Sequence, residues 1–247
     1  MSSEDSMKTE IKISSIFEVI FVMISRSLFF FLTQIVFFGF YLIILKNNEW
    51  LLTAKYWPIF ALSGGIISII ITGMIMKRDN EQIMDFYKFE KKHIFKDIIT
   101  ITVILLLLSP LVLISNILST KLLFEDPTMI EKIMFQKLPL WALITSFLFP
   151  VVTALTEIPV YYGFVLPKLS KQMSVFIAMP AVIFFHLFQH CFLPFMFDIK
   201  FIIWRFIMFT PLAVILAITI YARRRLMPYL IIIHMILDFS AVMMFFK

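Results

Sequence analysis

The sequence predicts an all-α, polytopic membrane protein, a bundle of about seven to eight transmembrane helices, and three observations carry that prediction. The chain is 61% hydrophobic, with 30 Phe and only 15% charged residues, too few polar side chains to cover a soluble domain. Apolar runs of about 20 residues, the length that crosses ~30 Å of hydrocarbon, recur along the chain. No Gly/Ser linker, low-complexity tract or fixed-period repeat interrupts them, so residues 1–247 read as a single membrane domain.

The elements follow in order. The tail "MSSEDSMKTE" is mixed in charge and no small-residue cleavage site follows the first apolar run, so the first helix is expected to be retained. The stretch "ISSIFEVIFVMISRS" (13–27) contains Glu18 and Arg26 and reads as an amphipathic helix lying flat at the interface. Spans are expected near 27–45, 58–76 and 98–118. In the polar connection 77–97, Ile83, Phe86, Tyr87, Phe89 and Ile94 recur at roughly helical spacing, which predicts a helix resting on the headgroups. In the connection 119–137, Asp126 followed by Pro127 predicts the cap and first turn of a short helix on the opposite face. Four further spans are expected near 139–166, 174–193, 201–221 and 229–246, making seven.

Lys and Arg outside the spans number thirteen on the side of the N-terminus and seven on the other, which predicts a cytoplasmic N-terminus. The net charge of +6 is accordingly read as topology and contact with anionic headgroups, with membrane lipids as partners and no nucleic acid. A single cysteine, Cys191, excludes an intramolecular disulfide and a multi-thiolate metal site, and reads as a small buried hydrophobe. Sixteen Lys against six Arg, with abundant Ile, is the bias of an AT-rich bacterial genome, so the expected location is a bacterial cell membrane.

The residues that point to chemistry are the ionisable ones inside the spans: Glu157, His186, His190, Arg205, His234 and Asp238. Glu157 is the one formal charge in the thirty residues from Leu138 to Pro167, and a carboxylate at that depth costs several kcal/mol, roughly 2.5 or more. His186 and His190 are four apart, as are His234 and Asp238, so each pair shares a helix face. A carboxylate that takes a proton from water, beside imidazoles that hold the water or the developing oxyanion, is the set needed to activate water. Two histidines and two carboxylates also form a conceivable zinc set, but H-E-x-x-H is absent and the spacing fits no familiar short pattern, so no cofactor or metal is expected. Arg205, close to the outer end of its span, is expected to snorkel to the surface.

In these positions the chain resembles the CPBP family, the CAAX-prenyl-protease and bacteriocin-processing membrane proteins also called Abi proteins. Its motifs are a Glu-Glu pair followed three residues later by Arg-Gly, an aromatic four residues before a His, and a His four residues before Asn or Asp. Here "EIPVYYGFVLPKL" (157–169), "HLFQH" (186–190) and "HMILD" (234–238) follow that order and spacing, within a core at 139–246. Gly163 and Pro167 are retained, whereas Ile158 replaces the second Glu, Tyr162 the Arg, and His186 the aromatic.

The resemblance implies catalytic roles for Glu157, His190, His234 and Asp238, the first two activating water and the last two holding the oxyanion, with His186, Tyr162 and Thr156 supporting them. Loss of the second Glu together with the Arg strands no buried charge. Glu157 is then expected to be made tolerable by His190 and by water, admitted where Pro159 loosens the helix. The implied function is an intramembrane glutamate-type peptidase acting on a peptide or a lipidated polypeptide. Some Gram-positive members are instead associated with N-acylation of lipoproteins beside a papain-like partner, and a non-catalytic bacteriocin-immunity role is a third alternative. One geometric demand follows. At 1.5 Å per residue, Glu157 and Asp238 lie at ~15 Å from the cytoplasmic ends and His190 at ~24 Å, so convergence requires a strongly tilted fifth span or different helix ends.

Overall fold

The computed structural model of the protein describes residues 15–126 and 128–246. The tail with Lys8 and Lys12, residues 13 and 14, Pro127 with its expected first-turn role, and Lys247 lie outside the described residues. The rest is a membrane helix bundle, and among the described residues six helical columns are long and apolar enough to cross a bilayer.

The first column is α1 (Ile16–Ile44), opened by a capping box in which Ser15 and Glu18 satisfy each other's backbone amides. It takes in the segment expected to lie flat. Glu18 sits at the helix start, ion-paired with Arg78, while Arg26 is fully buried, so 16–27 is the first part of a span. The second column ends in α2 (Trp57–Arg78), whose Pro58 occupies the first turn, where no hydrogen bond is lost. Gly64 and Gly65 let α2 approach its neighbours: a Cβ at Gly64 would lie 2.4 Å from the Phe30 ring, and one at Gly65 would lie 3.1 Å from Thr156 Oγ1. Small residues of this kind set close helix contacts in lipid.

The connection 79–93 holds no amphipathic α-helix. It forms two short 3-10 turns, Ile83–Tyr87 and Lys91–His93, and reaches back into the bundle, burying Phe86 over Gly163 while the Tyr87 hydroxyl donates to the Leu155 carbonyl at 2.7 Å. Next come α3 (Ile94–Leu123) and the short α4 (Met129–Met134). The Asp126 carboxylate accepts from the Thr128 amide and hydroxyl at the start of α4, and those bonds together with Lys132 draw its pKa down to about 2.

The fourth column is continuous in sequence and broken in geometry. It consists of α5 (Leu140–Ser146), α6 (Phe149–Ile158), a π-helical stretch (Pro159–Val165) and α7 (Leu166–Ser170). The π-stretch begins at Pro159, where a missing N–H weakens the ladder. Pro167 does not end the column, because it falls in the first turn of α7. The column therefore runs past the expected end at 166 to Ser170.

The fifth apolar helix, α8 (Val175–His190), is opened by the Ser174 side chain and has only 16 residues. Its C-terminus passes into a non-helical segment, 191–198, that is largely packed inside the protein, with Phe197 exposed. There Phe195 exchanges two hydrogen bonds with the Gln34 side chain, at 2.8 and 3.1 Å, and its carbonyl also accepts from Trp50 Nε1 at 2.8 Å. Irregular backbone inside a membrane protein needs such partners. The chain finishes with α9 (Ile199–Ala222), capped by Asp198, and α10 (Met227–Met243). The helix α6 packs on α2 and α10, α8 packs between α1 and α9, and α3 lies outside, mainly on α9 and barely touching α10.

Candidate active site

The extended fourth column removes the mismatch in depth between Glu157 and His190. Thirteen residues separate Glu157 from Ser170 and sixteen separate Ser174 from His190, which at 1.5 Å each is ~20 Å against ~24 Å. No strong tilt of α8 is required. Glu157 is fully buried on α6, directly before the π-stretch, and three imidazoles point their Nε2 atoms at its Oε1: His186 at 2.8 Å, His234 at 3.6 Å and His190 at 3.8 Å. Asp238, one turn after His234 on α10, places Oδ2 3.4 Å from His234 Nε2. The four residues that the resemblance marks are thus brought together from three helices.

The supporting contacts differ from the expected ones. Glu157 has a guanidinium partner, Arg26 of α1, whose Nη2 lies 3.4 Å from Glu157 Oε2. The same side chain donates Nη1–H to Thr156 Oγ1 and Nε–H to Gln189 Oε1, each at 2.6 Å. Arg26 and His186 therefore hold the carboxylate, with His190 the most distant of its neighbours. Breaking a buried pair of this kind costs about 3–5 kcal/mol, so the offset needed at Glu157 comes from a helix that the motifs do not include. Only the lone Arg inside an apolar run marked it in the sequence.

His186 sits behind Glu157, away from the cavity described below. Its Nδ1 lies 2.5 Å from the Tyr162 hydroxyl, which also reaches the Ala213 carbonyl at 3.1 Å, and Tyr161 stacks on its ring. Tyr162, at the position where the resemblance would have Arg, fixes the imidazole. His190 stacks on Phe209 with centroids 3.8 Å apart and planes 9° apart, which sets its ring orientation. Arg205 does not snorkel: it is 5% exposed and donates to the carbonyls of His190 and Leu193 at the end of α8, against the rings of Phe201, Trp204 and Phe209. The His190 carbonyl ends α8 and the Leu193 carbonyl lies in the irregular segment after it, and donating to both keeps Arg205 inside.

A cavity of about 450 Å³ opens beside these groups. Glu157, His190, His234 and Asp238 form its inner end, and Trp57, Met134, Phe135, Phe149, Met208 and Met244 form much of its apolar wall. It extends toward α4, on the face opposite the 79–93 connection. His190 Nε2, His234 Nδ1, Asp238 Oδ2 and Thr153 Oγ1 are buried without a hydrogen-bond partner. Buried polar atoms are rarely left so, and here they surround one opening.

Glu157, His186 and His190 also bring one ligand atom each to within 4.8 Å of one another, a set that could hold a metal ion. The His186–Glu157 hydrogen bond at 2.8 Å would have to open, and the ion would share its carboxylate with the Arg26 guanidinium. That donor set fits a dication poorly. Compared with protein-family models, with curated proteins and with solved structures, the chain gives no match. The likeness to the CPBP family therefore rests on the three spaced motifs.

Proposed function

We propose that this protein is a multi-pass membrane enzyme, CPBP-like, that attacks a carbonyl carbon within the bilayer, using Glu157 as general base. The observation that supports this is the convergence of Glu157, His190, His234 and Asp238 on one cavity with unsatisfied polar atoms turned toward it. In the hydrolytic form, water bound between Glu157 and His190 gives a proton to Glu157 as its oxygen attacks the peptide carbonyl. His234, oriented by Asp238, stabilises the oxyanion. The C–N bond then breaks and the amine leaves with the proton held by Glu157. Arg26 and His186 keep the carboxylate in place through the cycle. The chemistry runs without a metal, and activity is expected to survive chelation of divalent ions.

A second reading is favoured by the shape and placement of the cavity. Its wall is apolar and it extends toward α4, on the face that the distribution of basic residues assigns to the outside. That suits acyl transfer to the amino group of a lipoprotein beside a partner enzyme: Glu157 takes the amine proton, the new C–N bond forms, the C–O bond of the donor ester breaks, and the departing oxygen takes the proton.

Mass spectrometry of lipoprotein N-termini in a bacterial host, with and without the protein, separates the two. A missing acyl chain selects transfer; intact lipoproteins with an altered secreted peptide select hydrolysis. No change in either, with Glu157→Gln also silent, leaves the non-catalytic immunity role.

A further inference from the structure

Two arginines are buried in this bundle, and they differ in what answers their charge. Arg26 pairs with Glu157. Among the described residues, Arg205 has hydrogen bonds only to the backbone carbonyls of His190 and Leu193, and contacts to three aromatic faces at 5.3–5.5 Å. The negative end of the α8 dipole offsets part of a unit charge, and the remainder is costly in a low-dielectric interior. Asp238 lines the same cavity, and its ion-pair partner is His234.

Arg205 also lines that cavity, beside Asn116, Thr120 and Trp204. Its guanidinium and the His190 ring both contact Phe209, at 5.3 Å and 3.8 Å, so a group bound at Arg205 sits close to the reacting centre. One side of the cavity is lined by Val112 and Asn116 of α3 and by Leu237 and Ser240 of α10, and α3 barely touches α10, so on that side the cavity faces lipid. Among anions carried on hydrocarbon chains, a phosphodiester headgroup is one that brings an ester carbonyl with it, the group the site beside Arg205 is proposed to act on. The geometry points to a phosphate-binding subsite at Arg205, in which a phospholipid sets its phosphate on the guanidinium, lays an acyl chain along Met208, Leu212 and Leu237, and turns an ester carbonyl toward Glu157. Guanidinium is the side chain best matched to phosphate, through paired charge-assisted hydrogen bonds. As an assignment of substrate class this rests on the acyl-carbonyl reading above; as a binding site it does not.

The test is native mass spectrometry of the purified protein titrated with short-chain phosphatidylglycerol and with diacylglycerol of the same chains. We expect wild type to prefer the phosphatidylglycerol by about tenfold or more, which corresponds to about 1.4 kcal/mol. Arg205→Lys should keep a preference and Arg205→Gln, which retains a donor for the α8 carbonyls, should lose it. Equal affinities in the wild type overturn the proposal without any variant, so a folding failure of Arg205→Gln does not shield it. Competition by inorganic phosphate as strong as by the lipid would make the ligand a free anion and overturn the lipid assignment. A lipidated peptide that competes through its terminal carboxylate, while phosphatidylglycerol does not, would do so in favour of a peptide substrate. Glu157→Gln should retain the lipid preference, so loss of activity and loss of the subsite are read separately.

Discussion

Where α2 meets α7, Lys168 donates to Asp79 Oδ2 at 3.0 Å and to Glu81 Oε1 at 2.7 Å, and Asp79 also pairs with Arg78 at 3.2 Å. Midway through the bundle, Glu157 is held by Arg26 and His186 yet faces two further imidazoles at 3.6 and 3.8 Å. Both are ion-pair clusters with buried members, Lys168 and Asp79 in one and Arg26 and Glu157 in the other, built by elements far apart in sequence. At Lys168 each charge ends in a direct bond, and the cluster fastens helix ends. At Glu157 one side of the carboxylate is saturated and the other opens on a cavity with orphaned nitrogen and oxygen atoms. Burial alone does not distinguish a fastening from a site; unsatisfied capacity turned toward one space does.

The largest expected effect breaks the open cluster at its base. Glu157→Gln should lower activity by ~10²–10⁴, the worth of a positioned general base, with the protein still in the membrane, because the amide keeps an acceptor for Arg26. Turnover close to wild type would make Glu157 as structural as Asp79.

Arg26→Met comes next. It leaves Glu157 buried without its guanidinium, so thermal unfolding in detergent should report a loss of about 3–5 kcal/mol. Adding Glu157→Gln should restore part of it, since the stranded charge is gone. If the double variant is no more stable than Arg26→Met, the two side chains are not coupled.

Asp238→Ala tests the cavity side of the same cluster. Without the carboxylate one turn away, His234 loses its orientation, and activity should fall by the ~2.7–4 kcal/mol that one oxyanion donor is worth. Asp238→Asn should be tolerated, because the amide can accept from His234 and donate to the substrate oxygen. Equal behaviour of the two variants removes Asp238 from the chemistry.

How much of this could be read from the sequence follows from how each contact is encoded. Glu157, His190, His234 and Asp238 were legible because each sits in a short motif, at an offset of four that fixes a shared face. Arg26 was not, because its partner lies 131 residues away, and an Arg in an apolar run reads equally as a headgroup contact. Arg205 was misplaced for a related reason: its acceptors are backbone carbonyls, which carry no residue-type signal. The fourth column was expected to end at 166 and runs to Ser170, because Pro167 sits harmlessly in the first turn of α7. The π-stretch at 159–165, by contrast, begins at the proline expected to loosen the helix.

The smallest effect belongs to the closed cluster and makes the comparison quantitative. Lys168→Met leaves Asp79 with Arg78, and it leaves Glu81, whose side chain is 40% exposed, free to turn to water. Only one buried acceptor is therefore short of a partner, and the loss should be about 1–2 kcal/mol, in the lower part of the range for an unsatisfied group. Activity per folded molecule should not change, because no bond of this cluster reaches Glu157. Measured beside Arg26→Met, the substitution asks whether a fastening and a site, each with a buried pair, differ in what they do for turnover. If Lys168→Met lowers turnover as far as Arg26→Met does at equal folded fraction, the end of the bundle is coupled to the cavity. The π-stretch, which joins Glu157 to the helix carrying Lys168, would then be the element that transmits it.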